Sequence, residues 1–334
     1  MFLKSNESWR RAVPLTLAVC GAIAASQAMA AEAAEILQAG ATIEIPASTG
    51  KFDFLRIDDE RRRLLGAHEN DGTWDVFDLD KAQVVSRLKV GGAVDTALDP
   101  ATGQYFISVQ EAERVAVVDA KTLKEVKSIA TQGPTDAILF EPKHQRIYVT
   151  HDDGKDVWVI DPKTAKIIGA VAIPGAPEYM VYDAAVDRIY LNIKTTDEVV
   201  AIDPVSSKVV SHWSTAPATQ PHGLALDGAN HRVFASGANG KLVAIDTLTG
   251  KVTATSEITV KVDQIAYDPD KHQIYCTGPD WMSVVATTAD GLQFVGNVKT
   301  APTAKNVAVD PHTHAVWTTY TDGKSSYARS WLPK

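Results

Sequence analysis

The chain has 334 residues, 45% of them hydrophobic, which is enough apolar sequence for a large buried core. Its net charge of −8 is poorly suited to nucleic-acid backbones or anionic membranes, so no nucleic-acid partner is expected. Only two cysteines are present, which excludes a disulfide framework as the main source of stability.

Residues 1–30 have the three parts of a secretory signal. Basic residues precede the uncharged stretch 12–25, which is too short to span a bilayer, and the small-residue site Ala28-Met29-Ala30 follows. Val19 before Cys20 is larger than lipoprotein processing normally accepts, which favours a soluble product without lipid. Cleavage after Ala30 is therefore expected, giving a periplasmic or secreted chain 31–334, without a transmembrane segment and with a net charge of −10.

One repeat dominates this mature sequence: an alternating apolar run that ends in an acid. Five clear copies cover residues 74–78, 115–119, 157–161, 199–203 and 242–246. Their closing acids are 41, 42, 42 and 43 residues apart. Two degenerate copies, around 283–288 and 326–332, bring the total to seven.

Each period contains four short predicted strands. In the third copy they cover residues 137–140, 146–150, 157–160 and 166–173, separated by turn residues. Four strands in roughly 40 to 45 residues is typical of a propeller blade, and no period has room for the crossover helix of a parallel sheet. The sequence therefore predicts an all-β, seven-bladed β-propeller that forms a single domain over residues 31–334.

The ends of the sequence predict how the ring closes. The last copy has three predicted strands, at 307–309, 315–319 and 326–331. Residues 41–46 are similar to the fourth strand of the third copy at 170–174. The N-terminal strand is therefore expected to complete the last blade, which removes two free sheet edges.

The second strand carries a family resemblance. It reads Arg146-Ile147-Tyr148-Val149-Thr150-His151 in the third blade and Arg188-Ile189-Tyr190-Leu191-Asn192 in the fourth. This resembles the YVTN family of β-propeller repeat proteins over nearly the whole mature chain, although His151, and His68 in the first blade, replace the family's Asn. The resemblance implies the fold but no single function, since related propellers include surface-layer and periplasmic binding proteins, subunits of amine dehydrogenases, and metal-dependent lactonases and lyases.

Candidate ligand-binding residues surround one mouth of the central channel, where the first strands begin. An acid also ends each predicted first strand: Asp58, Asp99, Glu141, Asp183, Asp227, Asp268 and Asp310. The positions five residues before these acids are Asp53, Val94, Asp136, Glu178, His222, Asp263 and Lys305. Blades two and seven look one residue shorter, so Asp95 or Asn306 is the alternative there. Converging carboxylates repel one another unless protons or a divalent cation such as calcium neutralise them. Glu178, His222 and Asp263 are the predicted metal ligands; the other interpretation is a set of solvated turn acids.

Four further side chains are predicted to line the wall of this mouth. His68 and His151 end second strands, where they would contact a ligand or act as acid–base groups. Trp281 and Tyr320 are candidate stacking surfaces at the sixth and seventh blades. Exposed loop histidines and single surface aromatic residues are the alternative explanation.

Three functions remain open. The leading hypothesis is an exported, monomeric binding or interaction protein that holds a small ligand, a metal ion or a protein partner at this upper face. The first alternative is a metal-dependent hydrolase or lyase similar to the lactonase-type propellers, with His151 as proton carrier. The second is a propeller subunit of a periplasmic redox enzyme. The sequence has no nucleophile elbow, phosphate loop, dinucleotide fingerprint or haem-attachment cysteine pair.

Overall fold

A computed structural model describes Met1 and residues 36–289 and 291–334. The predicted secretory signal therefore lies outside the described residues, apart from Met1. Among the residues that are described, no helix combines the length and the apolar character needed to cross a bilayer.

Seven antiparallel four-stranded sheets make up the structure, and six of them are continuous in sequence. The first three blades contain β2 to β13: Leu55–Asp58, Arg63–His68, Thr73–Asp78, Gln83–Lys89, Ala93–Asp99, Gln104–Val109, Arg114–Asp119, Lys124–Ala130, Thr135–Glu141, Arg146–His151, Asp156–Asp161 and Lys166–Ala172. The next three contain β14 to β25: Pro177–Asp183, Arg188–Ile193, Glu198–Asp203, Lys208–Ser214, Pro221–Asp227, Arg232–Gly237, Lys241–Asp246, Val252–Glu257, Gln264–Asp268, Gln273–Gly278, Trp281–Thr288 and Gly291–Lys299. Two short 3₁₀ helices cover Glu69–Asp71 and Gly228–Asn230.

The seventh blade is built from both ends of the chain. Its strands are β26 to β28, Ala308–Val309, Val316–Thr321 and Ser325–Pro333, and β1, Leu37–Pro46. β1 pairs antiparallel with β28 and so forms the outer strand of this blade. The predicted seven-bladed fold and the closure by the N-terminal strand are both confirmed.

Burial follows the position of a strand within its blade. The second and third strands are buried on both faces; in β11, Ile147, Tyr148, Val149 and Thr150 are each fully buried. The side chains of the fourth strands are mostly exposed or half-buried, and in β5 the two classes alternate. This pattern is expected when the blades pack face to face and only the outer strands meet solvent.

The turn between the first and second strands recurs around the ring. Its closing acid accepts backbone hydrogen bonds from the next residues; Asp268 Oδ1, for example, accepts from the amides of Asp270 and Lys271, both at 3.1 Å. One residue per turn has a positive φ: Arg62, Gly103, Gln145, Asp187, His231, His272 and His314. His231, His272 and His314 therefore occupy the positive-φ position of the turn, where histidine is more frequent than most residues.

Candidate functional site

β-Bulges position three of the predicted mouth residues. The pairing of first and second strands shifts register in the third, fourth and fifth blades, and each shift leaves one predicted residue outside the regular ladder: Asp136, Glu178 and His222. A bulge bends its strand and changes the direction of a side chain. The same shift occurs in blade two, where it falls at Val94. In blades three to five it directs Asp136, Glu178 and His222 to the channel mouth.

Glu178, His222 and Asp263 come together across the fourth, fifth and sixth blades. One potential ligand atom from each lies within 4.8 Å of the other two. His222 Nε2 is 3.8 Å from Glu178 Oε1, and Nδ1 is 2.8 Å from the carbonyl oxygen of Gln220. A carbonyl oxygen can only accept, so Nδ1 carries the proton and Nε2 keeps its lone pair for a metal ion.

Two lysines form ion pairs with the carboxylates of this cluster, one lysine with each carboxylate. Lys194 Nζ lies 2.8 Å from Glu178 Oε1 and 3.2 Å from Asp153 Oδ1. Lys305 Nζ lies 2.5 Å from Asp263 Oδ2 and 3.4 Å from Asp53 Oδ1. Each ammonium group therefore bridges one cluster carboxylate and one carboxylate outside the cluster.

Asp136 and Asp53 add two more acids beside the cluster. Asp136 is 9% exposed and has no hydrogen bond or ion pair within the part of the chain that is described. Burial, followed by the charges of Glu178 and Asp53, raises the pKa of Asp136 well above its usual value. Burial also raises the pKa of Asp53 to about 7, although Lys305 opposes the change. The mouth thus concentrates more negative charge than its two lysines neutralise.

A polar layer crosses the channel below the mouth. Gln264 donates to the carbonyl oxygen of Leu55 at 2.9 Å and to the hydroxyl of Tyr179 at 3.4 Å. Arg56 forms a two-pronged ion pair with Asp95, at 2.8 and 2.6 Å, and its Cζ lies 4.5 Å from the centre of the Tyr179 ring. Arg56, Tyr179 and Gln264 also line a cavity of about 330 Å³, together with apolar side chains of the first strands.

The same contacts decide between the alternatives left open for blades two and seven. Asp95 is fully buried in the polar layer, and Val94 is buried as well, so blade two contributes neither of them to the cluster. In blade seven Lys305 faces the mouth, whereas Asn306 is buried and donates to the carbonyl oxygen of Asp53 at 2.7 Å.

His68 does not line the wall of the mouth, contrary to the expectation. It is fully buried and stacks on Phe52, with ring centroids 3.8 Å apart. Its Nδ1 is 2.8 Å from Asp75 Oδ2, and its Nε2 is 2.9 Å from the carbonyl oxygen of Gly50. The segment after β1 passes over the histidine and encloses it, so His68 is part of the ring closure and is not accessible to a ligand.

His151 remains partly accessible, but its contacts lie within its own blade. Its side chain is 26% exposed, stacks on Trp158 with centroids 4.7 Å apart, and contacts Asp156 Oδ1 through Nδ1 at 2.8 Å. Gly133 and Gly154 leave the room that the ring occupies, because a Cβ at either position would clash with it. The role of proton carrier stays a prediction.

The two aromatic candidates also contact neighbours of their own blades. Trp281 is 39% exposed, and Lys299 Nζ lies 4.6 Å from the centre of its ring. Tyr320 stacks on Tyr327 with centroids 4.9 Å apart. Neither ring makes a described contact with the carboxylates of the cluster.

A second group with metal-ligand chemistry, Glu141, His144 and Asp187, lies on the opposite face. Glu141 accepts from the backbone amides of Lys143 and His144. Asp187 accepts from Lys143 Nζ at 2.7 Å, His144 Nε2 at 3.1 Å and Tyr182 at 3.0 Å. Because these oxygens already have partners within the protein, the group is a turn network between blades three and four.

Counting back from the acids that end the first strands did not identify Lys194 as a site residue, and the sequence did not predict the cavity beside it. Lys194 directly follows Ile193, the fourth-blade residue that aligns with His151. A cavity of about 420 Å³ between blades four and five adjoins the cluster; its lining consists of Lys194, Thr195, Asp197, Gln220 and His222. Of its five lining residues, His222 thus belongs to the cluster and Lys194 contacts it.

Comparisons with known proteins agree on the fold. A family model described as "Domain of unknown function (DUF5074)" matches residues 101–331. Among solved structures, a chain titled "Kuenenia stuttgartiensis Hydrazine Synthase" is similar, with a TM-score of 0.75 and 13% identity, over 87% of this chain and 97% of that chain. At this identity the similarity shows a shared fold alone. No curated protein matches the chain in sequence.

Proposed function

The chain belongs to the DUF5074 family, and we propose that it is an exported β-propeller binding protein that holds a divalent cation at the mouth of its channel. The proposal rests on the convergence of Glu178, His222 and Asp263 from three blades within 4.8 Å. Three atoms at such separations can all lie about 2.8 Å or less from one point, close to the roughly 2.0–2.6 Å of metal–ligand bonds. A small adjustment of side chains is then enough to coordinate an ion.

The charge of the mouth supports a cation more than a neutral ligand. Asp136 is 9% exposed beside the cluster and its carboxylate has no partner among the described residues; such a carboxylate is unfavourable unless a proton or a cation compensates its charge. The imidazole of His222 favours zinc over calcium, since calcium prefers oxygen ligands, and the two carboxylates of the cluster also suit manganese.

The two lysines do not prevent cation binding, since each has a second carboxylate in reach. Lys194 can stay with Asp153, and Lys305 with Asp53, when Glu178 and Asp263 turn to the ion. The lysines then act as internal counterions that keep the cation-free mouth stable and lower the apparent affinity for the metal.

Calorimetric titration of the purified mature protein with Mn²⁺, Zn²⁺ and Ca²⁺ after chelator treatment tests the proposal. We expect one ion per chain, bound with preference for Mn²⁺ or Zn²⁺, and a melting temperature that rises with ion concentration. Replacing His222 with Gln should weaken binding at least tenfold. The matched control is His144→Gln, which alters the similar group on the opposite face and should leave the affinity unchanged. Equal affinities for both variants, or no binding to the wild type, would contradict the proposal.

Export and the closer family assignment are part of the same proposal. The signal at residues 1–30 and the YVTN-like second strands support an exported member of that repeat family. Expression in a Gram-negative host should give a periplasmic protein whose intact mass corresponds to residues 31–334. A cytoplasmic chain that starts at Met1, or one acylated at Cys20, would contradict this part.

The enzyme alternative keeps one supporting observation. Three protein ligands leave coordination positions open, as in catalytic metal sites, and the cavity of about 420 Å³ lies beside them. The redox-subunit alternative gains no comparable support, since the similarity to the hydrazine synthase chain concerns the fold alone.

A further inference from the structure

The cavity between blades four and five is directly connected to the proposed cation site. Its lining comes from Lys194, Thr195 and Asp197 in the loop after β15, from Gln220 in the loop before β18, and from His222 in β18. With about 420 Å³, it has the size of a small-molecule site.

Two lining residues link the cavity to the ion. His222 exposes its ring to the cavity and directs Nε2 toward Glu178 at 3.8 Å. Lys194 reaches from the same wall to Glu178 Oε1 at 2.8 Å. When the ion takes the Glu178 carboxylate, the ammonium group of Lys194 keeps Asp153 and has N–H donors available for an anion in the cavity.

Two neutral donors line the same cavity as this ammonium group. The Thr195 hydroxyl accepts from the amide of Ala176 at 2.9 Å, so its own proton is available to a ligand. The side-chain amide of Gln220 forms no hydrogen bond among the described residues, and the same loop places it in the lining. Ammonium, hydroxyl and amide donors together suit a carboxylate group.

Asp197 is a hydrogen-bond acceptor in the same lining, so it requires a donor on the ligand. Its Oδ1 accepts from the backbone amide of Gln220 at 2.6 Å, which leaves Oδ2 to accept from a ligand. A ligand with carboxylates only would face repulsion at this wall, whereas a hydroxyl group would donate to it.

We propose that this cavity binds a small hydroxycarboxylate, whose carboxylate bridges the bound cation and Lys194 and whose hydroxyl donates to Asp197. The inference rests on the proposed cation site and names the class of ligand that the site takes. The cation and the carboxylate bind cooperatively. The cation neutralises Glu178, whose negative charge would repel the carboxylate, and the carboxylate compensates the positive charge of Lys194, which would repel the cation.

Two titrations separate the inference from the proposed function. The first measures Mn²⁺ binding to the chelator-treated protein; no binding there would overturn the cation site and the inference with it. The second titrates L-malate into Mn²⁺-saturated protein, and again into protein in EDTA. We expect malate to bind at least tenfold more weakly in EDTA. Manganese binding without malate binding at millimolar concentration would overturn the inference and leave the cation site standing.

The two lysines supply matched variants. Lys194→Met and Lys305→Met each remove an ammonium group that competes with the ion, so both should bind Mn²⁺ several-fold more tightly than the wild type. Only Lys194 lines the cavity, so malate affinity should fall at least tenfold in Lys194→Met and stay within threefold in Lys305→Met. Equal malate affinities for the two variants would overturn the assignment of Lys194.

Succinate, which lacks the hydroxyl of malate, tests the role of Asp197. Its affinity for the Mn²⁺-loaded wild type should be about tenfold lower, the loss expected for one hydrogen bond to a charged acceptor. Affinity equal to that of malate would overturn the requirement for a hydroxyl group.

Discussion

Arg62 of the first blade and Asp310 of the last blade form a two-pronged ion pair where the ring closes. Nη1 is 2.7 Å from Oδ1, and Nη2 is 2.6 Å from Oδ2. Asp310 is 1% exposed and also accepts from the hydroxyl of Thr313 at 2.6 Å. Burial alone would raise the pKa of Asp310, but the bonds from Arg62 and Thr313 outweigh it and lower the pKa to about 2.

Because of this ion pair, the stability of the ring should decrease as the pH becomes acidic. A carboxylate with a lowered pKa stabilises the folded state above the pKa of the unfolded chain, and the contribution is lost as pH falls through the folded value. Asp310→Asn should therefore reduce the free energy of unfolding by about 2 kcal/mol at pH 6, and by much less near pH 2. Urea denaturation at both pH values measures the difference.

Asp80→Asn is the control for this prediction. Asp80 contacts the same Arg62 at 3.2 Å but is 61% exposed, so its loss should change stability by less than about 0.5 kcal/mol at either pH. A pH-independent loss for Asp310→Asn would show that the turn, and not the ion pair, is responsible.

The N-terminal strand should stabilise the whole ring. Ile45 is 2% exposed on β1 and packs in one cluster with Phe52 and Phe77 of the first blade and Trp317 of the seventh. Ile45→Ala should cost about 2–5 kcal/mol, and deletion of residues 31–46 should lower the melting temperature of the entire protein. Differential scanning calorimetry measures both.

Val85→Ala is the matched control, since Val85 is 44% exposed on the equivalent outer strand of the first blade. It should change stability by less than about 0.5 kcal/mol. If the deletion left the melting temperature of the full-length protein unchanged, the closure argument would fail.

The buried pair in the channel should be essential for stability. Asp95 is fully buried and holds Arg56 in the polar layer below the mouth. Asp95→Ala leaves the guanidinium group without its partner and should cost about 3–5 kcal/mol in the free energy of unfolding. Glu257→Ala removes an exposed partner of Lys241 and should cost under about 1 kcal/mol by the same measurement. Similar losses for the two variants would contradict the role given to the buried pair.

Asp136 should destabilise the cation-free protein. Because burial and neighbouring carboxylates raise its pKa, the folded state at pH 8 must either keep a proton there or bear an uncompensated charge, and both are unfavourable. Asp136→Asn should increase the free energy of unfolding in EDTA by about 1 kcal/mol, and should lower the gain that saturating Mn²⁺ provides. A loss of stability in EDTA would refute the account of the mouth as a region of excess negative charge.

Most of the fold could be predicted from the sequence because a propeller repeats one local pattern. The spacing of closing acids such as Asp161 and Asp203 marks equivalent positions in each blade, and the blades are arranged around one axis. A count from the acids that end the first strands therefore placed Glu178, His222 and Asp263 at one end of adjacent first strands. The structure brings one ligand atom of each within 4.8 Å of the others.

The tertiary structure decided what the repeat does not encode. His68 and His151 occupy equivalent positions, yet the connection 47–54 after β1 is longer than the corresponding connection 131–134 before blade three, and only His68 is fully enclosed. Likewise Lys194 and Lys305 reach the cluster from different blades, and their partners depend on side-chain contacts between blades. A repeat determines backbone positions, because they follow from local hydrogen bonding. Burial and charge pairing depend on which distant segments meet, and only the folded ring determines that.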